Sequence, residues 1–342
     1  MGLFLCRIVV EQLFLDQTVP LVPNASPTDE STMKAPAVGR DLPAWEIADV
    51  PWQGSLSEAE AFCRTIATRH YENFTVATRL VPLRLRQHLA NVYAFARWSD
   101  DLADESPSPA ESLVALASWR ERLQRCFAGQ PDHPIFVALA ATIRQTNLVI
   151  EPFSDLLDAF EQDQSVTRYP DRPALLDYCR RSADPVGRIV LALEGCRDAE
   201  RVALSDSICT GLQLVNFWQD VKRDRLAGRV YLPADDMRQA GVDEAMLDAD
   251  RACPPLVDLI RTEVAWAREC LDRGLPLERI APSTLRPAVG MFVRGGLAIA
   301  DAIEQIGFDT LAQRPTVSRW TKMRLAGRAW WGSMIVRDGA RA

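Results

Sequence analysis

The sequence predicts an all-α protein, a single large helical domain around a central cavity, and three observations carry that expectation. From Ser57 onward nearly every periodic segment has its apolar residues at helical spacing, with no convincing run of strand alternation and no internal repeat. In the stretch 213–231, Gln213, Asn216, Asp220 and Asp224 fall in one narrow stripe at 100° per residue, while Leu212, Leu214, Val215, Trp218 and Val221 cover the other sides. The same geometry occurs earlier, where Tyr93, Arg97, Asp100 and Asp104 recur at steps of four, three and four among Leu89, Val92, Phe95, Trp98 and Leu102. A polar stripe on an otherwise apolar helix marks a lined cavity.

The elements follow in order. Ser57 as N-cap with Glu60 three residues on reads as a capping box, opening a helix that carries Phe62, Ile66 and Arg69. After Pro82 a long helix over 83–104 carries the first acidic motif. Ser108, Pro109 and Glu111 supply N-cap, N1 and N3 of a helix reaching 127. Further helices are expected over 134–145 and 152–162. The segment 173–195 reads as a helix interrupted at Asp184-Pro185, because proline removes a backbone donor and disfavours helix just before it. The second acidic helix covers 199–224, and AGRVYLPADDM follows as a loop. Leu256, Ile260, Val264, Ala267 and Leu271 define another helix, and 287–306 a further one in which Gly290, Gly295 and Gly296 permit close approach. A basic, tryptophan-rich amphipathic segment begins at Val317.

Composition narrows the class. At 342 residues, with 48% hydrophobic and 25% charged residues, the chain can bury a large core. A net charge of −7 argues against a nucleic-acid partner. The eight cysteines form no Cys-x-x-Cys pair and read as reduced buried thiols of a cytoplasmic protein. His70, His88 and His133 are too separated for a zinc site. The apolar amino end is broken by Arg7, Glu11 and Asp16, so neither signal peptide nor membrane span is expected. Residues 1–54 read as a disordered leader rich in Pro, Ser, Thr and Asp, with Met33 an alternative start, and 55–342 as the helical domain.

Four carboxylates facing one another across a pocket, Asp100, Asp104, Asp220 and Asp224, suit hard divalent cations such as Mg²⁺. Arg97 and Arg229 beside them favour a bridging polyanion, and diphosphate fits both sets of groups. Metal-bound diphosphate leaves readily, and the carbocation left behind survives only where apolar and aromatic walls ration water. One Asp-x-x-x-Asp alone reads better as a solvated face; two aligned copies on apolar helices reverse that preference. Tyr93 and Tyr231 read equally well as core tyrosines, and Phe74, Trp98, Phe217, Trp218, Met291 and Phe292 individually read as core.

With YAFARWSDDLADE and NFWQDVKRDRLAGRVYLP in hand, the chain resembles the squalene and phytoene synthase family over about 57–336. The resemblance implies a class I isoprenoid synthase fold, in which Asp100, Asp104, Asp220 and Asp224 hold two or three Mg²⁺ ions and diphosphate. It also implies that Tyr93, Arg97, Gln213, Asn216, Arg229 and Tyr231 line the diphosphate end. Two departures stand out. HYENF replaces a histidine-serine-rich start, placing Tyr71, Asn73 and Phe74 among the substrate contacts, and YCRRSADPVG replaces a Val-Ala-Gly-x-Val-Gly turn. These stretches resemble the bacterial HpnC branch, the hydroxysqualene synthases of hopanoid biosynthesis.

In that branch the implied reaction joins presqualene diphosphate and water to give hydroxysqualene and diphosphate, with captured water held near Tyr178, Arg180 and Asp184. The implied partners are a presqualene diphosphate synthase upstream and a flavin-dependent reductase downstream. No nicotinamide is expected, since no glycine-rich dinucleotide fingerprint is present. The long apolar tails of the substrate imply peripheral contact with the inner membrane. Two rivals stay open: head-to-head prenyl coupling, and a non-catalytic assembly factor of the same fold.

Overall fold

The computed structural model describes residues 52–69, 82–318, 320–325 and 327. Residues 1–51 of the expected leader, with Met33, and the HYENF residues Tyr71, Asn73 and Phe74 lie outside the described residues, while Trp52 near the expected boundary donates its N–H to Asp132 O at 2.9 Å and packs against the helical core.

The described residues are helical, with a single isolated bridge, Arg168 to Val230, as the β-type pairing among them. In chain order the helices are α1 (Leu56–Arg69), α2 (Leu83–Asp104), α3 (Pro109–Phe127), α4 (Pro134–Thr146), α5 (Glu151–Gln162), α6 (Arg172–Ser182) and α7 (Asp184–Leu193). They continue with α8 (Ala199–Gln219), α9 (Val221–Leu226), α10 (Ala234–Gln239), α11 (Pro254–Gly274), α12 (Leu277–Ile280) and α13 (Arg286–Gln305).

Local chemistry sets most boundaries. Ser108 accepts from the Glu111 N–H with Pro109 at the first helical position, as expected for α3. The capping box of α1 lies two residues before the expected one: Ser55 Oγ accepts from Glu58 N–H while the Glu58 carboxylate accepts from Ser55 N–H at 2.7 Å. Both Ser-x-x-Glu registers exist in SLSEAE, and the first is used. The break at Asp184-Pro185 is real, with Ala183 (φ −118°, ψ −55°) separating α6 from α7. The segment after Tyr231, expected as loop, contains the short α10.

Two apolar cores result. One gathers side chains of α1 to α5 and α7 around Phe95, Trp119, Phe136 and Phe153. The other gathers α6, α8, α11 and α13 around Trp218, Leu271 and Tyr178, and Val289 and Phe292 of α13 pack against both. The first motif belongs to the first core and the second motif to the second. In the second core α8 packs most extensively on α11, where a Cβ on Gly211 would meet Leu271 Cγ at 2.8 Å. The close approach needs glycine there. No helix among the described residues is long and apolar enough to cross a membrane. The described cysteines are all free, and all but Cys253 are buried.

Candidate active site

The second motif differs from the expected single helix. α8 stops at Asp220 (φ −106°, ψ 19°) and α9 begins at the next residue. The stripe survives the break, because Asp220 N–H still donates to Asn216 O at 3.0 Å and Asp224 N–H to Asp220 O at 2.8 Å. Gln213, Asn216, Asp220 and Asp224 are all buried. With Phe217, Arg223 and Tyr231 they line a small, partly open pocket. An adjoining small pocket is lined by Asp224, Arg229, Tyr231, Leu232 and Leu247, among others.

Three buried oxygens on this stripe have no hydrogen-bond partner: Gln213 Oε1, Asn216 Oδ1 and Asp224 Oδ2. Unsatisfied acceptors cost free energy unless a cation or a donor meets them. Burial, and Asp220 next to it, push the Asp224 carboxyl well above the usual range, while Arg229 and Arg223 oppose the rise. This donor set suits an oxygen-loving divalent ion. Among the described residues no group of three or more His, Cys, Asp or Glu could hold a metal on its own. An ion here would be completed by amide oxygens, water and an anionic ligand, which is how Mg²⁺ is usually held.

The first motif keeps its charges paired locally. Arg97 binds Asp100 at 3.2 Å and also pairs with Asp101, one turn along α2. Burial pushes Asp101 up to about 7, opposed by Arg97. Tyr93 is buried and Asp104 exposed on the same helix.

Arg229 lies between the motifs. A Schellman end places it: Gly228 (φ +78°) donates to Arg225 O at 2.9 Å and Arg229 N–H to Asp224 O at 2.8 Å. Its guanidinium donates to Asp163 O at 3.4 Å and feels the charges of both Asp163 and Asp104. Val230 N–H to Thr167 O then fixes Tyr231 against Tyr169 and, at 3.8 Å between centroids, face to face with Phe217.

Two functional positions escaped sequence reasoning. Asp163 closes α5 and is buried, accepting the Tyr178 hydroxyl at 3.0 Å; burial pushes it up to about 6 against the pull of Arg229. An acid at a helix C-terminus, where the dipole disfavours it, was the available signal. Arg314, beyond α13, forks onto Asp220 through Nε at 2.5 Å and Nη2 at 2.9 Å. Nothing local in the sequence announces that contact.

Tyr178, Arg180 and Asp184 do not form one group. Tyr178 sits under Tyr231 and Phe217 with its hydroxyl on Asp163. Arg180 is half exposed and pairs with Asp177 at 3.1 Å, and its charge also bears on Asp184. Arg181 pairs with the same carboxylate. Asp184 is buried and accepts the Thr210 hydroxyl of α8 at 2.9 Å.

Comparison with known proteins converges on one family. The squalene/phytoene synthase family model matches residues 67–321. A phytoene synthase of Arthrospira platensis is 32% identical over 78% of this chain and 91% of its own. A hydroxysqualene synthase of Zymomonas mobilis is 34% identical over 59% of this chain and 68% of its own. The crystal structure of squalene synthase HpnC from Alicyclobacillus acidocaldarius superposes with a TM-score of 0.72 at 42% identity, covering 74% of this chain and 95% of that one. The helices, the paired acidic stripes and these likenesses agree: the chain belongs to the squalene/phytoene synthase family, in its HpnC branch, with the all-α isoprenoid synthase fold.

Proposed function

We propose that this member of a family of prenyl-diphosphate-using synthases is a hydroxysqualene synthase, converting presqualene diphosphate and water to hydroxysqualene and diphosphate. Asp100, Asp104, Asp220 and Asp224 would hold Mg²⁺ together with the amide oxygens of Gln213 and Asn216, and Arg97 and Arg229 would grip the diphosphate. Bound Mg²⁺ would supply charge neutralisation to the departing diphosphate oxygens.

The protein's own residues then have two tasks. The C–O bond breaks with its electron pair leaving on diphosphate, and the arginines receive that charge. Phe217 and Tyr231, stacked on each other and both lining the pocket, would bring aromatic surface to a cation. Water supplies the electron pair of the new C–O bond and gives up one proton, which the released diphosphate accepts.

The observation that carries this reading over its relatives is Asp184. It occupies the polar turn at the break between α6 and α7, and its partner Thr210 lies on α8, the helix of the second stripe, about 15 Å along the axis from Asp220 at 1.5 Å per residue. Burial, with Asp206 nearby, pushes Asp184 up to about 8. A neutral carboxyl can orient one water without setting an anion beside a carbocation that would collapse onto it.

Head-to-head coupling of prenyl diphosphates is the second reading, favoured by the likeness to a phytoene synthase over most of the chain. The test is a product assay with Mg²⁺ and presqualene diphosphate in isotopically labelled water, beside farnesyl and geranylgeranyl diphosphates alone. Labelled hydroxysqualene in the first and no product in the second are expected. Presqualene or prephytoene diphosphate formed from the simple substrates would replace this reading with coupling.

A further inference from the structure

The two oxygens of Asp220 are both taken by one guanidinium, whereas the acceptors around them are empty-handed. Arg314 contributes Nε and Nη2 to the fork, at 2.5 and 2.9 Å, and the Asp220 side chain is 3% exposed. The chain segment carrying Arg314 is tied down on both sides. Gln219 Nε2 donates to Pro315 O at 2.6 Å, and Asp309 accepts from Ala252 N–H at 2.8 Å and from Ala312 N–H at 3.1 Å. Val317 is buried in the second core. Arg314 Nη1, by contrast, is buried without a hydrogen-bond partner. The guanidinium that holds Asp220 thus keeps a spare donor, while the stripe that carries Asp220 keeps three spare acceptors.

We propose that Arg314 is a displaceable counter-ion that occupies the cation seat on Asp220 and makes cation binding at the second motif conditional on the anion. The proposal rests on the reading of Asp220 as a metal ligand. A divalent ion arriving alone must break a bidentate, charge-assisted pair in a water-poor site and strand a guanidinium. An ion arriving with diphosphate brings the oxygens onto which the freed guanidinium can fold, and its unpartnered Nη1 already has a hydrogen to give. Metal and anion then bind with mutual assistance, each raising the affinity of the other by the same factor. Free cation without substrate leaves the site closed. Arg97 in the first motif cannot act this way on Asp220, being committed to Asp100 and Asp101 of its own helix.

The experiment titrates Mn²⁺, as a paramagnetic substitute for Mg²⁺, into the full chain with and without inorganic diphosphate, in wild type, Arg314→Gln, Arg314→Lys and Asp220→Asn. Circular dichroism accompanies each variant. In wild type, diphosphate should tighten Mn²⁺ binding at the second motif strongly. In Arg314→Gln, Mn²⁺ alone should bind about tenfold more tightly than in wild type, and the gain from diphosphate should shrink. Arg314→Lys, which keeps the charge but not the fork, should fall between the two. Unchanged Mn²⁺ affinity without diphosphate in both Arg314 variants overturns the proposal even if Asp220→Asn loses the site. If Asp220→Asn binds Mn²⁺ as well as wild type does, the metal reading of Asp220 fails and the proposal with it.

Discussion

The two acidic motifs look alike as sequence and are built differently. In the first, each buried or half-buried carboxylate has its counter-charge one turn away, on the same helix, from Arg97. In the second, Asp220 draws its counter-charge from Arg314 far along the chain, and Asp224 keeps a buried oxygen with no partner at all. The cores beneath them differ as well. Aromatic rings fill the first, with Trp119 and Phe136 centroids 4.4 Å apart and Phe153 edge-on to Phe95. The second is drawn tight by small residues, Gly211 and Gly296 meeting Leu271 and Gly274 lying against Leu204 O and Ile208. A local pair can form wherever its helix forms; a pair made across the fold exists only when the fold does. The second motif is therefore the part of the site that tertiary structure, and ligands, control.

The largest expected effect separates catalysis from stability within that second motif. Asp224→Asn should lower turnover by at least about 10²-fold in saturating Mg²⁺, while leaving the melting temperature of the metal-free protein unchanged or raised, because an isolated buried carboxyl is removed. Asp220→Asn should lose turnover as severely and also cost about 1–2 kcal/mol, since it leaves the Arg314 guanidinium without its partner. Asp104→Asn, on the exposed end of the first motif, should lose activity at a stability cost below about 1 kcal/mol, the worth of an exposed charge acting on Arg229. Turnover by purified protein and calorimetry on the same samples decide it; full activity in Asp104→Asn and Asp220→Asn would remove the metal assignment.

The same distinction explains what could be read in the chain. The helices that carry both stripes, the N-cap at Ser108 and the break before Pro185 depend on residues a few positions apart, and each is where its spacing placed it. The end of α8 at Asp220 was not legible, because an unbroken stripe and an unbroken helix look identical in sequence. The partner of Arg180 was not legible for a related reason: its neighbour in sequence, Cys179, is fully buried, but the helix turns Arg180 outward to Asp177. Arg314 and Asp163 meet partners that only tertiary packing supplies, Asp220 at the end of α8 and Tyr178 on α6; the one local mark was the unfavourable placing of Asp163 at a helix C-terminus, which names no partner.

The cores offer intermediate effects. Trp119→Ala removes a fully buried ring whose Nε1 donates to Ser99 at 3.0 Å, and should cost about 3–5 kcal/mol in urea unfolding. Gly211→Ala adds a methyl that would meet Leu271 Cγ at 2.8 Å and its backbone N at 3.0 Å, and should cost about 1–3 kcal/mol by pushing α8 off α11. The second change displaces the helix that carries Gln213, Asn216 and Asp220, so it should also reduce turnover. Trp119→Ala, assayed where it is still folded, should keep more of its activity than Gly211→Ala does. The reverse order would mean that the first core, not the α8–α11 contact, positions the site.

The smallest effect tests the carboxyl on which the water-capture reading leans. Asp184 is pushed up to about 8 in the folded protein, from a usual value near 3.8. Between those values the folded chain keeps a proton that the unfolded chain releases, so this group's contribution to stability falls as pH rises from about 4 to about 8. Asp163 and Glu263, pushed up to about 6 and about 7, act in the same direction, and only a difference from wild type isolates Asp184. The amide introduced by Asp184→Asn cannot ionise and keeps an oxygen for the Thr210 hydroxyl. The melting temperature of Asp184→Asn minus that of wild type should therefore increase by roughly a few degrees from pH 5 to pH 8. A difference that stays flat across that range means that Asp184 is ionised in the folded state, and a carbocation beside it would be captured by carboxylate before water. With the neutral carboxyl, Asp184→Asn should retain hydroxysqualene as its main product, whereas Asp184→Ala, which can orient nothing, should divert the cation to eliminated hydrocarbons.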